Sequence, residues 1–136
     1  MKKVYAPGCW DLLHVGHVRF LNKAAESGEL FVGVPSDEVV SLDKGSPPII
    51  PCEQRMEMLR ALECVSDVFR YDVLDFLQHL YVLSPDVLAV GQYWGTERRH
   101  RKAEAYMEGI GGKVLVIPYC DETSTTEICL KIRGSQ

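Results

Sequence analysis

A doubly wound α/β fold, built as a single domain on a five-stranded parallel sheet, is the architecture that this 136-residue sequence predicts. Three observations carry it. Short apolar runs, most of them bounded by Gly, Pro or Asp, read as strands buried on both faces. Amphipathic stretches stand between those runs, so strand and helix alternate along the chain. The length suits one domain over residues 1–136 and calls for no second core. In such sheets a ligand sits beyond the carboxyl ends of the strands, where the strand order reverses.

The first predicted strand, Lys3 to Ala6, leads through a turn into a helix over Val15 to Glu26. A second strand covers Leu30 to Val34. Ser41 to Pro51, S-L-D-K-G-S-P-P-I-I-P, holds a glycine and three prolines, which predicts an irregular crossover loop. A helix over Cys52 to Glu63 follows, then a strand over Asp67 to Tyr71 and a helix over Val73 to Leu83. The fourth strand, Val87 to Val90, precedes a mostly polar helix over Thr96 to Glu108, and the fifth covers Val114 to Ile117. The last helix runs from Thr125 to Ile132, with Ser124 as its cap and Glu127 placed for a capping box.

Hydrophobic residues at 46% and charged residues at 25% exclude a disordered chain. A net charge of −4 argues against a general nucleic-acid binder, which would meet the phosphate backbone with a basic surface. The Met-Lys-Lys start reads neither as a signal peptide nor as a membrane span, so a cytoplasmic protein is expected. Cysteines at positions 9, 52, 64, 120 and 129 are odd in number and form no C-x-x-C pair, which predicts neither a disulfide framework nor a structural zinc site. Cys9 reads as small buried filler with no chemistry of its own.

The chemistry centres on His14-Val15-Gly16-His17, at the predicted start of the first helix. A helix start offers unpaired backbone N–H groups and partial positive charge, Gly16 admits close approach, and two imidazoles can donate to phosphate oxygens. The other reading is a loop residue and a cap residue with no shared role. Asp11 either orders this turn, caps it, or faces a metal and an acceptor. Gly91 to Trp94 follows the fourth strand and faces the same crevice, which makes Gln92 a candidate reader of a base, because its amide both donates and accepts. Trp94 stacks on a base, closes the pocket, or packs. Arg98, Arg99, His100, Arg101 and Lys102 form either a solvated face or an anion trap in which Arg98 or Arg99 grips a phosphate.

From Gly8 to His17, G-C-W-D-L-L-H-V-G-H resembles the G-x-F-D-x-x-H-x-G-H signature of the cytidylyltransferase-like nucleotidylyltransferases, with Trp10 where Phe is usual. Ser124-Thr125-Thr126, followed by Glu127-Ile128, resembles the same family's I-S-T-T or Y-S-T-T motif. Val32 to Asp37, the Lys44 loop, Pro51 to Arg55 and Pro85 to Gly91 also fit in order, so the resemblance covers nearly the whole chain. It implies a Rossmann-like fold and nucleotidyl transfer. An oxygen of the acceptor's phosphate attacks the α-phosphorus of a nucleoside triphosphate, and pyrophosphate leaves.

By the same resemblance His14 and His17 hold the α-phosphate and stabilise the transition state, while Lys44 closes over the triphosphate from a flexible loop. Gly8, Cys9, Trp10, Gly16, Gly91, Gln92, Ser124, Thr125 and Thr126 are then nucleotide-binding residues, and Asp11, Arg55, Trp94 and Arg98 meet the acceptor. Mg²⁺ is expected between the phosphates, with no residue assigned to hold it, and a homodimer is expected as the assembly. The G-x-x-W turn and the Met-Lys-Lys-Val start look most like the glycerol-3-phosphate cytidylyltransferases, which makes CTP and glycerol 3-phosphate the expected substrates. Gln92 and Tyr93 stand where that group carries acids, and Tyr119 where it carries an arginine. V-G-V-P-S-D, K-G-S-P-P-I-I-P and S-P-D-V-L are closer to adenylyltransferase domains that act on heptose 1-phosphate. ATP with a sugar 1-phosphate is thus the alternative, and a catalytically silent nucleotide-binding module is the alternative of another class.

Overall fold

A computed structural model of the chain describes residues 1–118 and 124–134. The elements run β1 (Lys3–Pro7), α1 (Val15–Ala25), β2 (Glu29–Pro35), α2 (Asp37–Lys44), α3 (Cys52–Arg60), β3 (Asp67–Tyr71), α4 (Leu77–Leu83), β4 (Val87–Gly91), α5 (Arg98–Gly109), β5 (Lys113–Ile117) and α6 (Thr125–Gly134). All five strands are parallel, in the order β3-β2-β1-β4-β5. The order therefore reverses between β1 and β4, and the carboxyl ends of those two strands frame the crevice.

Alternation along β1 assigns each face its helices. Val4 and Ala6 face one layer, where they pack with Leu21 and Ala24 of α1 and Met56 and Leu59 of α3. Tyr5 faces the other, with Phe76, Leu80 of α4 and Ala103 and Met107 of α5. Val4, Tyr5 and Ala6 are all fully buried, as a central parallel strand covered on both sides requires.

Tyr5 also joins three elements through its hydroxyl. The Oη lies 2.6 Å from His79 Nδ1, and His79 Nε2 lies 3.2 Å from the Arg70 carbonyl. Since a carbonyl only accepts, Nε2 carries the proton and Nδ1 accepts from tyrosine. Burial supports this neutral pair, lowering the imidazole pKa and raising that of the phenol. Gly33 in β2 leaves the room, because a Cβ there would run into the Tyr5 hydroxyl.

The main departure from the sequence expectation is α2, which occupies the first part of the predicted crossover loop. Its signals are complete. Ser36 Oγ accepts from Val39 N at 3.3 Å, Asp37 and Glu38 sit in the first turn, and Gly45 ends the helix at φ +82° with its N–H on Ser41 O at 2.9 Å. Lys44 is thus the last residue of a helix, not the middle of a flexible loop. The fourth helix starts four residues later than expected, because Asp75 Oδ1 accepts the Leu77 N–H at 2.9 Å and sets the start there. Cys9, Cys52, Cys64 and Cys129 are free thiols. Tyr119 and Cys120 lie outside the described residues. Among the described residues no helix is long and apolar enough to cross a membrane.

Candidate functional site

The turn between β1 and α1 is bent by two residues in the left-handed region, Trp10 at φ 59° and Leu12 at φ 51°. Each such residue costs about 1–2 kcal/mol, so the surroundings must hold the turn. Trp10 does this by burial, 6% exposed, and by donating its indole N–H to Gly33 O at 3.0 Å, the carbonyl that also receives Gly8 N at 3.2 Å. Its ring stands edge-on to His17 at 5.5 Å. Trp10 is thus a core residue that braces His17, and it is not among the residues that line the cleft beside the histidine turn.

His14 caps α1. Its Nδ1 accepts from Gly16 N at 3.0 Å, and His17 Nδ1 in turn accepts from His14 N at 3.3 Å. With each Nδ1 engaged by a backbone donor, each neutral ring carries its proton on Nε2. The two rings stack, centroids 3.8 Å apart and 25° from parallel. Burial lowers the pKa of both, and that of His17 falls to about 4 under burial, the His14 ring and the Lys44 charge. Near neutral pH the helix start thus presents two uncharged Nε2–H donors in a fixed stack.

A buried arginine locks the segments around them. Arg55 is 1% exposed and donates from Nε to Ile50 O at 2.8 Å, from Nη1 to Cys9 O at 2.8 Å, and from Nη2 to Pro35 O and Asp37 Oδ1, both at 2.9 Å. Four of its five N–H donors bond the protein and the group is buried, so in this structure Arg55 ties the surrounding loops together and does not reach the cleft. Asp11 acts likewise: its Oδ2 and Oδ1 accept from Ile49 N and Ile50 N at 2.8 and 2.9 Å. Thr125 donates its hydroxyl to Asp11 O at 2.9 Å, and Ser124 Oγ accepts from Glu127 N at 3.1 Å. The Ser124 to Thr126 segment is thus docked on the histidine turn, with Thr126 exposed and the Thr125 hydroxyl committed to holding α6 in place.

Beside the histidines, sharing Gly8 and Cys9 with their turn, lies a cleft of about 300 Å³ at the carboxyl ends of β1 to β4. Lys44 enters it from the end of α2 and acts electrostatically on both Cys9 and His17, while burial raises the Cys9 thiol pKa. The far wall is the start of α5. There Arg99, and not the exposed Arg98, reaches the cleft, with Nη2 on Asp43 Oδ1 at 3.2 Å and Nε on Glu97 Oε2 at 3.0 Å. Trp94 stacks on His100, centroids 4.1 Å apart, and donates its indole N–H to Glu104 Oε1 at 2.6 Å. Gly91, Tyr93 and Trp94 line the cleft, whereas Gln92 is exposed and is absent from its described walls. The reason is the turn: Trp94 N bonds Gly91 O at 3.1 Å, which puts Gln92 at a corner. No motif marks Asp43, Glu97 or His100. For His100 the further signal is phase, since Ala103 and Met107 are the apolar pair of α5 and carry it to the same face.

Among the described residues no group of three or more His, Cys, Asp or Glu side chains could hold a metal ion. Residues 5–129 match the cytidylyltransferase-like family. The bifunctional protein HldE of Geotalea uraniireducens is 41% identical over 132 residues, which are 96% of this chain and 26% of that protein, so the chain spans about a quarter of this relative. FAD synthase of Thermococcus onnurineus is 38% identical over 138 residues, 96% of this chain and 90% of that one. The lipopolysaccharide core biosynthesis protein from Thermoplasma volcanium shares the fold, with a TM-score of 0.73 over 90% of this chain and 99% of that one at 22% identity. A match over nearly the whole chain, together with a relative aligned almost end to end, establishes that this protein belongs to the cytidylyltransferase-like family.

Proposed function

We propose that the chain transfers the adenylyl group of ATP to the phosphate of a small phosphorylated acceptor, a sugar 1-phosphate, in the cytoplasm. The observation that carries the transfer is the stacked pair His14 and His17, each left with an Nε2–H donor at a helix start. An oxygen of the acceptor's phosphate bonds to the α-phosphorus, the bond to the bridging oxygen of the β-phosphate breaks in line, and pyrophosphate departs with that electron pair. No side chain needs to form a covalent bond. Catalysis is positioning and charge stabilisation, and two preorganised donors at the α-phosphate supply both. Lys44, whose charge is felt at His17, is placed to steady the departing phosphates. Asp11 already accepts a backbone N–H on each carboxylate oxygen, and among the described residues no cluster of three or more His, Cys, Asp or Glu side chains could hold a metal ion. Mg²⁺ would enter as part of the triphosphate substrate and would supply charge neutralisation to its phosphates.

Adenylyl transfer is preferred to the cytidylyl transfer expected from the G-x-x-W turn. The named relatives are HldE and FAD synthase, and neither is a glycerol-3-phosphate cytidylyltransferase. Gln92 is not among the described residues that line the cleft. A second reading, FMN as acceptor, is favoured by the end-to-end match to FAD synthase and by Tyr71, Phe76 and Trp94 in the cleft wall. Pyrophosphate release with the four triphosphates, each against sugar 1-phosphates, glycerol 3-phosphate and FMN, decides the matter. The highest kcat/KM is expected for ATP with a sugar 1-phosphate. A higher value with FMN installs the second reading, and a preference for CTP, or no release with any pair, overturns the proposal.

A further inference from the structure

Helix α5 repeats a device that α1 uses, and its histidine has been given no task. In α1 the third helical residue, His17, accepts the N–H of the residue before the helix on Nδ1. In α5 the third helical residue, His100, does the same, taking Glu97 N at 3.3 Å and Gly95 N at 3.1 Å. A neutral His100 ring therefore also carries its proton on Nε2. The ring is 9% exposed and held by the stacked Trp94. Its Nε2 has no hydrogen-bond partner among the described residues, yet no polar side-chain atom there is both buried and unsatisfied. This nitrogen thus keeps access to open space, and the space that His100 borders is the cleft.

The cleft has two chemically different ends. At the β1 turn, Lys44 lines the cleft beside the histidine turn and suits a phosphate. At α5 the Arg99 charge is already met by Asp43 and Glu97, and those carboxylates would repel a second anion while accepting hydrogens from hydroxyl groups. A neutral imidazole donor beside two carboxylate acceptors matches the alternating donors and acceptors of a polyol. We infer that His100 is an acceptor-binding residue, donating Nε2–H to a hydroxyl oxygen of the carbon skeleton of a sugar phosphate whose phosphate lies toward Lys44. This inference rests on the nucleotidyl-transfer reading for the identity of the acceptor, but not for the binding itself.

Two variants of the full chain separate ligand contact from the capping role. In H100N the amide oxygen can replace Nδ1 at the cap while the distal donor is lost; in H100Q the amide N–H reaches toward the position of Nε2. Binding of hexose and heptose 1-phosphates and their monodeoxy analogues is read by calorimetry, and turnover by pyrophosphate release. For H100N the acceptor Kd and KM should rise about tenfold with the KM for ATP unchanged, and H100Q should recover most of the loss. One monodeoxy analogue should bind wild type and H100N equally. Wild-type acceptor affinity in H100N overturns the inference, as does an equal loss in both variants that extends to ATP, the sign of a purely structural cap. His100-dependent binding without pyrophosphate release overturns the proposed reaction and leaves the inference standing. Release of pyrophosphate with an unchanged H100N does the reverse, and no binding by wild type of any sugar phosphate overturns the inference.

Discussion

A neutral imidazole whose Nδ1 is already engaged has a single proton to offer, and the helix that holds it sets the direction. For His14 and His17 this predicts a role expressed in kcat. Replacing either with Ala should lower kcat about 10²–10³-fold, or roughly 3–4 kcal/mol, as for a lost oxyanion donor. Near wild-type pyrophosphate release by a folded His17→Ala protein would remove the pair from the mechanism. The depressed pKa of His17 also has a sign in stability. The unfolded chain takes up this proton near pH 6.5 and the folded one only near 4, so stability present above pH 6.5 is lost as pH falls toward 4. Thermal melts of wild type and His17→Asn should converge or cross as pH falls through that window, because the variant lacks this loss. Arg55→Met should cost about 3–5 kcal/mol by leaving its buried acceptors unpaired, read from urea midpoints. A raised acceptor KM at unchanged stability would instead restore Arg55 to the substrate site. Sequence spacing made the two histidines legible, because their role depends on local geometry. It could not show that Arg55, Asp11 and Trp10 are committed to protein partners, since Cys9, Pro35, Ile49 and Gly33 are brought close to them only by the fold.

At the scale of elements, packing at the β1–β2 pair predicts a large effect from a small change. Gly33→Ala should cost about 1–3 kcal/mol, because the added methyl displaces the Tyr5 hydroxyl from His79. Melting temperatures decide it: a variant as stable as wild type would show that Tyr5 has freedom to move. The five strands were legible because each is a short apolar run at a turn. Helix α2 was not, because Gly45 and the prolines after it dominate the window while its own cap, Ser36, belongs to the preceding strand end. For α5, strong polarity hid the phase of the helix, and that phase decides that Arg99 faces the cleft and Arg98 faces water.

For the molecule as a whole, alternation of strands and helices announced a parallel sheet, but the order β3-β2-β1-β4-β5 depends on pairings that composition does not encode. Val73, Tyr81 and Val82, on and before α4, are exposed at 59%, 57% and 80%, and the homodimer expected from the sequence is a prediction that this apolar surface makes testable. Light scattering at micromolar concentration should give the mass of two chains, and the mass of one would refute the assembly. The grip of Asp11 on Ile49 and Ile50 has a consequence for solvent deuterium. Although the Ile49 side chain is 61% exposed, both amides must break a bond to a carboxylate before they exchange, so segment 45–51 should open together with the β1–α1 turn. Slow exchange at these two positions, abolished in Asp11→Ala, would make a surface loop the reporter of whether the histidine turn is intact.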